Sequence, residues 1–273
     1  MKKQLSLFLK HFIKPGSQSE AQELSLKVQD MDLIPITNFV AQDIFIVGYP
    51  KSGNSWFQSL VVGALYGIDI EHSSDQLIQE LLPDVHYNKF YKRHGNPMFF
   101  RSHNLPKPEY KQVVYLLRDG RDVMVSYFHH LKALQNKEIN FLKMVQNGKE
   151  FFPCKWHQHV KTWLSNPFDA QMIIIRYEDL IRDTLKELNR FCKFIEVEVD
   201  KFQLQQAILQ CSFENMREKE ENQGWDNPSW PKDKSFVRRG QVGSYRDEMP
   251  SDALEVFMKE AGETLIECGY ENK

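Results

Sequence analysis

The sequence carries almost no net charge, −2 over 273 residues, and no run of roughly five like charges. A general nucleic-acid binder and a polybasic membrane protein are both excluded on that ground, although a local basic pocket is not. Cysteine is scarce: Cys154, Cys192, Cys211 and Cys268 form no C-x-x-C pair, so reduced thiols in a cytoplasmic protein are expected. No apolar run approaches the roughly 18 residues that a membrane span needs. The first residues, MKKQLSLFLKHFI, imitate a signal peptide, but Lys10 and His11 interrupt the apolar stretch and no small-residue cleavage site follows. An amphipathic helix or a loose end is expected there instead. Internal repeats and a second domain are also missing, so 1–273 reads as one domain, with 1–40 peripheral and a core of about 43–270.

Aromatic residues, by contrast, are plentiful at 12%, including 19 Phe, enough for a large core. Four short apolar runs read as buried strands: 44–47, 98–103, 113–117 and 172–176. Helical periodicity lies between them. One face carries Phe57, Leu60, Val61, Ala64 and Leu65; another Val123, Tyr127, Leu131 and Leu134; a third Ile181, Leu185, Leu188, Cys192 and Ile195. A last helix carries Leu254, Phe257, Met258, Ala261, Leu265 and Cys268 and stops at Gly269. Strands alternating with helices predict an α/β, three-layer fold, a central parallel sheet flanked by helices. Residues 66–97 read as an irregular insert near an active-site mouth, and 214–235 as a long polar loop with Trp225 and Trp230.

The organising stretch is Phe45-Ile-Val-Gly-Tyr-Pro-Lys-Ser-Gly-Asn-Ser-Trp56. A buried strand enters a turn built on Gly48, Pro50 and Gly53, and a helix leaves it. Such a turn aims backbone N–H groups and a helix dipole at one point, which makes an anion site. It nearly matches G-x-x-x-x-G-K-[ST], but Asn54 stands at the lysine position and Lys51 lies inside the turn. An ordinary ATP or GTP site would lose its main contact to the outer phosphates.

Further candidates stand at the other strand ends, where ligands bind in open parallel sheets. Arg101, Ser102 and His103 end the second strand. Arg118 ends the third, in Arg118-Asp-Gly-Arg-Asp122, with Ser126 about two turns into the helix. A guanidinium fork suits a phosphate dianion. Pairing of Arg118, Asp119, Arg121 and Asp122 with one another is an equal alternative. Tyr177 ends the fourth strand, able to pack on a base or on the core. Arg238-Arg-Gly-Gln-Val-Gly243 is another compact cationic set. Cys154, His157 and His159 lack a ligand spacing that fits one helix face, so no metal site is read from them.

Taken in order, these segments resemble the cytosolic-type sulfotransferases. Tyr49-Pro-Lys-Ser-Gly-Asn-Ser-Trp56 is similar to their Y-P-K-S-G-T-T-W phosphosulfate loop, and Arg118–Tyr127 to their 3′-phosphate motif. Ser212-Phe-Glu-Asn-Met216 resembles S-F-x-x-M, and 238–243 matches R-K-G-x-x-G. The resemblance implies transfer of a sulfuryl group from 3′-phosphoadenosine 5′-phosphosulfate (PAPS) to a hydroxyl or amine of a small, partly apolar or lipid-like acceptor, leaving PAP. It implies that Lys51, Ser52, Gly53, Asn54 and Ser55 hold the 5′-phosphosulfate, and Arg118, Ser126, Arg238, Arg239 and Gly240 the 3′-phosphate. Trp56, Tyr177 and Phe213, with Ser212 and Met216, would surround the adenine. By the same analogy His103 is the general base and Lys51 offsets charge on the leaving oxygen, with no metal required. Two departures stand out. The family's K-T-H is Arg101-Ser102-His103 here, and arginine is a poor proton donor. The family's K-x-x-x-T-V-x-x-x-E dimer signature is missing, so the oligomeric state is left open. A kinase or NTPase and a non-catalytic nucleotide-binding protein remain as alternatives.

Overall fold

The computed structural model describes residues 32–135, 138–225 and 230–272. The expectation for the first 13 residues lies outside these. Four parallel strands form the centre: β2 (Ile44–Gly48), β4 (Phe99–Ser102), β5 (Gln112–Leu117) and β6 (Gln171–Arg176), in the spatial order β4-β2-β5-β6. Alternation along each strand feeds two cores, because successive side chains point to opposite faces. Phe45, Val47, Val113, Tyr115 and Leu117 join one core, with Val123 and Tyr127 of α3 (Gly120–Gln135), Trp156 and Trp163 of α5 (Trp156–Leu164) and Phe257 of α11 (Ser251–Glu267). Ile44, Ile46, Val114 and Leu116 join the other, with Phe57, Leu60 and Val61 of α1 (Asn54–Tyr66), Phe191 of α7 (Thr184–Phe194) and Leu204 of α8 (Lys201–Gln210). The result is a three-layer α/β arrangement with its sheet buried on both faces.

β2 is followed in the sheet by β4 on one side, whereas β5 leads to β6 on the other. Adjacent strands whose connections diverge leave a crevice at their carboxyl ends, the usual ligand position in such sheets. Both Lys51 and Arg118 lie just past that edge.

Several sequence expectations change. The stripe from Ile181 to Ile195 is not one helix. Asp183 leaves helical geometry (φ −151°) and accepts the Lys186 N–H, so α6 (Tyr177–Arg182) ends, α7 begins, and Ile181 turns outward at 39% exposure. Leu134, at the far end of the α3 face, is exposed as well. The 66–97 segment is only partly irregular: Ser74 caps α2 (Asp75–Leu81), and β3 (Phe90–Tyr91) pairs antiparallel with β1 (Ile34–Pro35). The first ten residues of the expected 214–235 loop belong to helix α9 (Phe213–Gln223). Its Glu, Lys, Arg and Gln are good helix formers, and the cap Ser212 Oγ accepts from Asn215 N at 3.2 Å. High polarity there marks an exposed helix and not a loop.

Candidate active site

The turn after β2 is held in a shape few residues adopt. Lys51 (φ 74°) and Gly53 (φ 92°) are both left-handed. For a lysine this conformation costs about 1–2 kcal/mol, a local strain the surrounding packing must sustain. Gly53 cannot be replaced freely, because a Cβ would sit 2.7 Å from the Tyr177 ring. It is also the N-cap of α1 without any side-chain cap, so the first N–H groups of a 13-residue helix keep their capacity for an anion. Asn54 Nδ2 donates to Tyr49 O at 2.9 Å, which braces the turn.

Arg118 leaves β5 and bridges two segments, donating from Nη1 to Lys51 O (3.0 Å) and from Nη2 to Gln241 O (3.3 Å), with its plane 4.1 Å from the Tyr177 ring centroid. Its Nε is buried without a partner, as is Ser52 Oγ in the turn. Mutual pairing within 118–122 holds for Asp119 and Arg121 alone, at 2.8 Å, with Arg121 also reaching Glu271. Asp122 accepts from Gly243 N (2.7 Å) and Tyr245 N (3.0 Å), fastening the 238–243 loop beside Arg118. Arg238 and Arg239 converge on Glu248, at 2.8 and 3.0 Å, together with His129 Nε2 at 2.7 Å. Ser126 lies three residues before His129 on α3 and shares its face.

Lys51 is the focus of these charges. Burial, then the guanidiniums of Arg118, Arg101 and Arg238, lower its pKa to about 7. The two cationic segments that the sequence separates by more than a hundred residues therefore act on one ammonium. Nζ donates to His130 Nδ1 at 3.4 Å and lies 4.9 Å from the Phe236 ring centroid. His130 is kept neutral, its pKa pushed down to about 3 by burial and by Lys51, so the ring has a lone pair with which to accept from an ammonium. It stacks on Trp230 at 5.2 Å, and Trp225 stacks on Phe236 at 4.0 Å. No sequence motif flagged His129 or His130; their only signal is the i+3 and i+4 spacing from Ser126.

His103 is fixed on three sides. Its Nδ1 lies 2.7 Å from Gly48 O. A carbonyl can only accept, so Nδ1 carries the proton and Nε2 presents its lone pair. The backbone N–H donates to His86 Nε2 at 2.9 Å, and the backbone carbonyl is 3.3 Å from His159 Nε2. Burial pushes the His103 pKa down to about 4, countered by Asp84 and helped by Arg101. The ring is thus a neutral imidazole with a lone pair on Nε2, one residue beyond the strand that abuts the Lys51 turn. Arg101 is not beyond the strand end. It lies inside β4, 7% exposed, with Nε on Asp84 (2.6 Å) and Nη1 on Ser55 Oγ (2.9 Å) and Gln58 Oε1 (2.8 Å). Ser102 is buried against Tyr110 at 3.1 Å.

The aromatic positions come together in part. Trp56 meets Tyr177 edge-on at 5.9 Å and donates to Cys211 O. Phe213 packs so closely on Gly240 that a Cβ there would be 2.5 Å away. Ser212 is spent on capping α9, and Met216 is buried in the α1-side core. A cleft of about 310 Å³ lies between these elements, lined by Ser55, Gln58, Met216 and Trp225 among others; neither Lys51 nor His103 lines it. Cys154, His157 and His159 do not gather. His159 is instead held by Tyr115 Oη at 3.0 Å, and among the described residues the one grouping with ligand spacing is the exposed Asp69, Glu71 and His72.

Comparison with known proteins gives one consistent answer. The family model for the sulfotransferase domain matches residues 41–269. Mouse sulfotransferase 1B1 is 26% identical over 255 residues, covering 83% of this chain and 85% of the relative. The guinea-pig 3-beta-hydroxysteroid sulfotransferase is 26% identical over 268 residues, 92% and 91% of the two chains. Among solved structures, mouse sulfotransferase SULT7A1 complexed with PAP superposes with a TM-score of 0.63 at 21% identity, covering 86% of this chain and 91% of that one. Retinol dehydratase in complex with retinol and PAP gives 0.63 at 21% identity, over 84% and 82%.

Proposed function

The chain belongs to the sulfotransferase family and is a PAPS-dependent enzyme of it, and on that premise we propose that it sulfonates a hydroxyl, or an amine, of a small and partly apolar acceptor, with His103 as the base. The single observation that carries the base assignment is the His103 Nδ1 contact with Gly48 O, which leaves Nε2 free to accept a proton.

The donor supplies an activated sulfuryl group and leaves as PAP. The residues present suit it. Ser52 Oγ and Arg118 Nε are buried donors without internal partners, beside an uncapped helix start. Lys51, with the 52–55 backbone, would hold the phosphosulfate and offset the charge that builds on the departing oxygen. Arg118, Ser126, Arg238, Arg239 and the Gly240 backbone would hold the 3′-phosphate, with Trp56, Tyr177 and Phe213 about the adenine. In this reading Ser212 and Met216 support that wall through α9, and Arg101 acts by fixing Asp84 and Ser55. No metal enters, because guanidiniums and an ammonium already meet the donor's charge; activity is expected to survive EDTA.

An apolar acceptor body is favoured by the aromatic rim around His103, where Phe152 lies edge-on to His86 at 5.1 Å. The steroid named for the guinea-pig relative has that character. No helix among the described residues is long and apolar enough to cross a membrane; a cytoplasmic site of action fits the unpaired cysteines. A kinase or NTPase assignment is disfavoured, since Asn54, at the usual lysine position, has its amide on Tyr49 O.

Transfer of radiolabelled sulfuryl from PAPS to a panel of phenols, alcohols, sterols and amines tests the reading. His103→Ala should lower turnover by about 10²–10⁴-fold while PAP affinity holds. Equal loss of turnover and PAP affinity would reject the base assignment.

A further inference from the structure

We propose that His86 positions His103 for its role as base, through the lone pair on Nε2, and releases it when that nitrogen takes up a proton. The inference rests on the reading of His103 given above.

β4 is the outer strand, and residues 83–85 add to it as a short parallel bridge: Arg101 N–H donates to Pro83 O (2.9 Å) and Val85 N–H to Arg101 O (3.0 Å). Parallel pairing repeats every two residues, so the next donor on that side is the His103 N–H and its ladder partner would be Val85 O. The chain turns away before that bond forms. Asp84 Oδ1 accepts the His86 N–H at 2.7 Å, an Asx turn, and Asp84 O accepts from Asn88 N. The His86 side chain takes the place of the missing carbonyl, with Nε2 2.9 Å from the His103 nitrogen. One imidazole thus ends the ladder at the residue whose orientation matters most to the reaction.

The bond also fixes the protonation of His86. A backbone N–H can be given only to a lone pair, so Nε2 is bare and the neutral ring carries its proton on Nδ1. The two rings lie almost parallel, 16° apart with centroids at 5.6 Å. Protonation of His86 would turn Nε2 into a donor facing a donor and would place a cation against the base. Burial is the chief influence on His86 and disfavours its charged form; Asp84 favours that form, and Arg101 and Lys107 oppose it, so His86 is held below its ordinary value and is neutral near pH 7. The His103 and Phe152 rings close the remaining sides. Release of His103 therefore falls on the acid side.

The test uses the full-length enzyme with PAPS and its best acceptor, with kcat, acceptor KM and PAP Kd measured from pH 5 to 8. His86→Leu keeps the bulk and removes the acceptor; kcat should fall about tenfold or more at pH 7.5, a deficit that narrows toward pH 5 as His86 of the parent takes up its proton, with PAP Kd within about twofold of the parent. His86→Gln restores an acceptor that does not titrate. It should recover kcat at pH 7.5 to within about twofold, and the fall in kcat toward pH 5 should flatten. Wild-type kcat and pH profile in His86→Leu would overturn the proposal, and so would a His86→Gln enzyme as slow as His86→Leu. His103→Ala separates the two layers. Retained turnover there sinks the base reading itself, whereas its loss alongside a fully active His86→Leu enzyme sinks the positioning role alone.

Discussion

Binding of PAP should draw a proton onto Lys51. The ammonium is enclosed by Arg118, Arg101 and Arg238 and has its pKa lowered to about 7, so near pH 8 only about a tenth of it is charged. A bisphosphate placed among these cations reverses the balance and returns the group toward its ordinary value of 10.5. Proton uptake on binding should then be about 0.9 at pH 8, about 0.5 at pH 7 and about 0.1 at pH 6. The sign follows from the charged form being the one that binds. Affinity should be level below pH 7 and decline above it, by about 50-fold between pH 7 and pH 9. At pH 8 PAP's own phosphates are fully ionised, since their second pKa lies near 6, so the uptake there belongs to the protein. Calorimetry in buffers of differing ionisation enthalpy measures it directly. Lys51→Arg provides the control, because arginine stays charged throughout; its uptake at pH 8 should be close to zero and its affinity nearly independent of pH. Equal uptake by the parent and by Lys51→Arg would refute the reasoning and assign the proton elsewhere.

Three further outcomes are expected. Gly53→Ala places a Cβ 2.7 Å from Tyr177 at φ 92°, so it should cost about 1–3 kcal/mol in stability and weaken PAP, read by thermal melts with and without PAP. Arg121→Met strands the buried Asp119 carboxylate and should destabilise by about 3 kcal/mol with PAP affinity unchanged, whereas Arg118→Met should lose PAP affinity first; denaturant melts beside a PAP titration tell them apart. Glu248→Gln frees Arg238 and Arg239 from a competing carboxylate and should tighten PAP by about two- to fivefold without affecting adenosine 5′-monophosphate, which lacks the 3′-phosphate.

The fold, and the strand ends and turn that carry the candidate site, were legible along the chain because both are written in short-range signals. A run of β-branched residues bounded by Gly48 and Pro50 specifies a strand and turn wherever it occurs. Misreadings came where a local signal had two meanings. The 214–223 segment was polar enough for a loop, yet rich in helix formers behind a Ser212 cap. Asp183 broke a stripe whose apolar spacing ran on unaltered through it. Arg118 and Arg121 are chemically equal in sequence; one faces the crevice and the other Asp119, a choice made by the direction in which α3 leaves β5. His86, His129, His130 and Glu248 belong to no motif, since their partners lie between 10 and 119 residues away or on another strand edge.

By itself the sequence determined the layered α/β architecture, the glycine turn after β2 and the family's donor chemistry, because strand runs, glycine turns and strand-end cations each act within a few residues. Tertiary structure alone decided the protonation states. Whether Lys51 is charged, which nitrogen of His103 is bare, and which carboxylate holds each arginine depend on burial and on fields summed over distant segments. Coulomb energy and desolvation are set by distance in space, and a linear order of residues does not contain that distance.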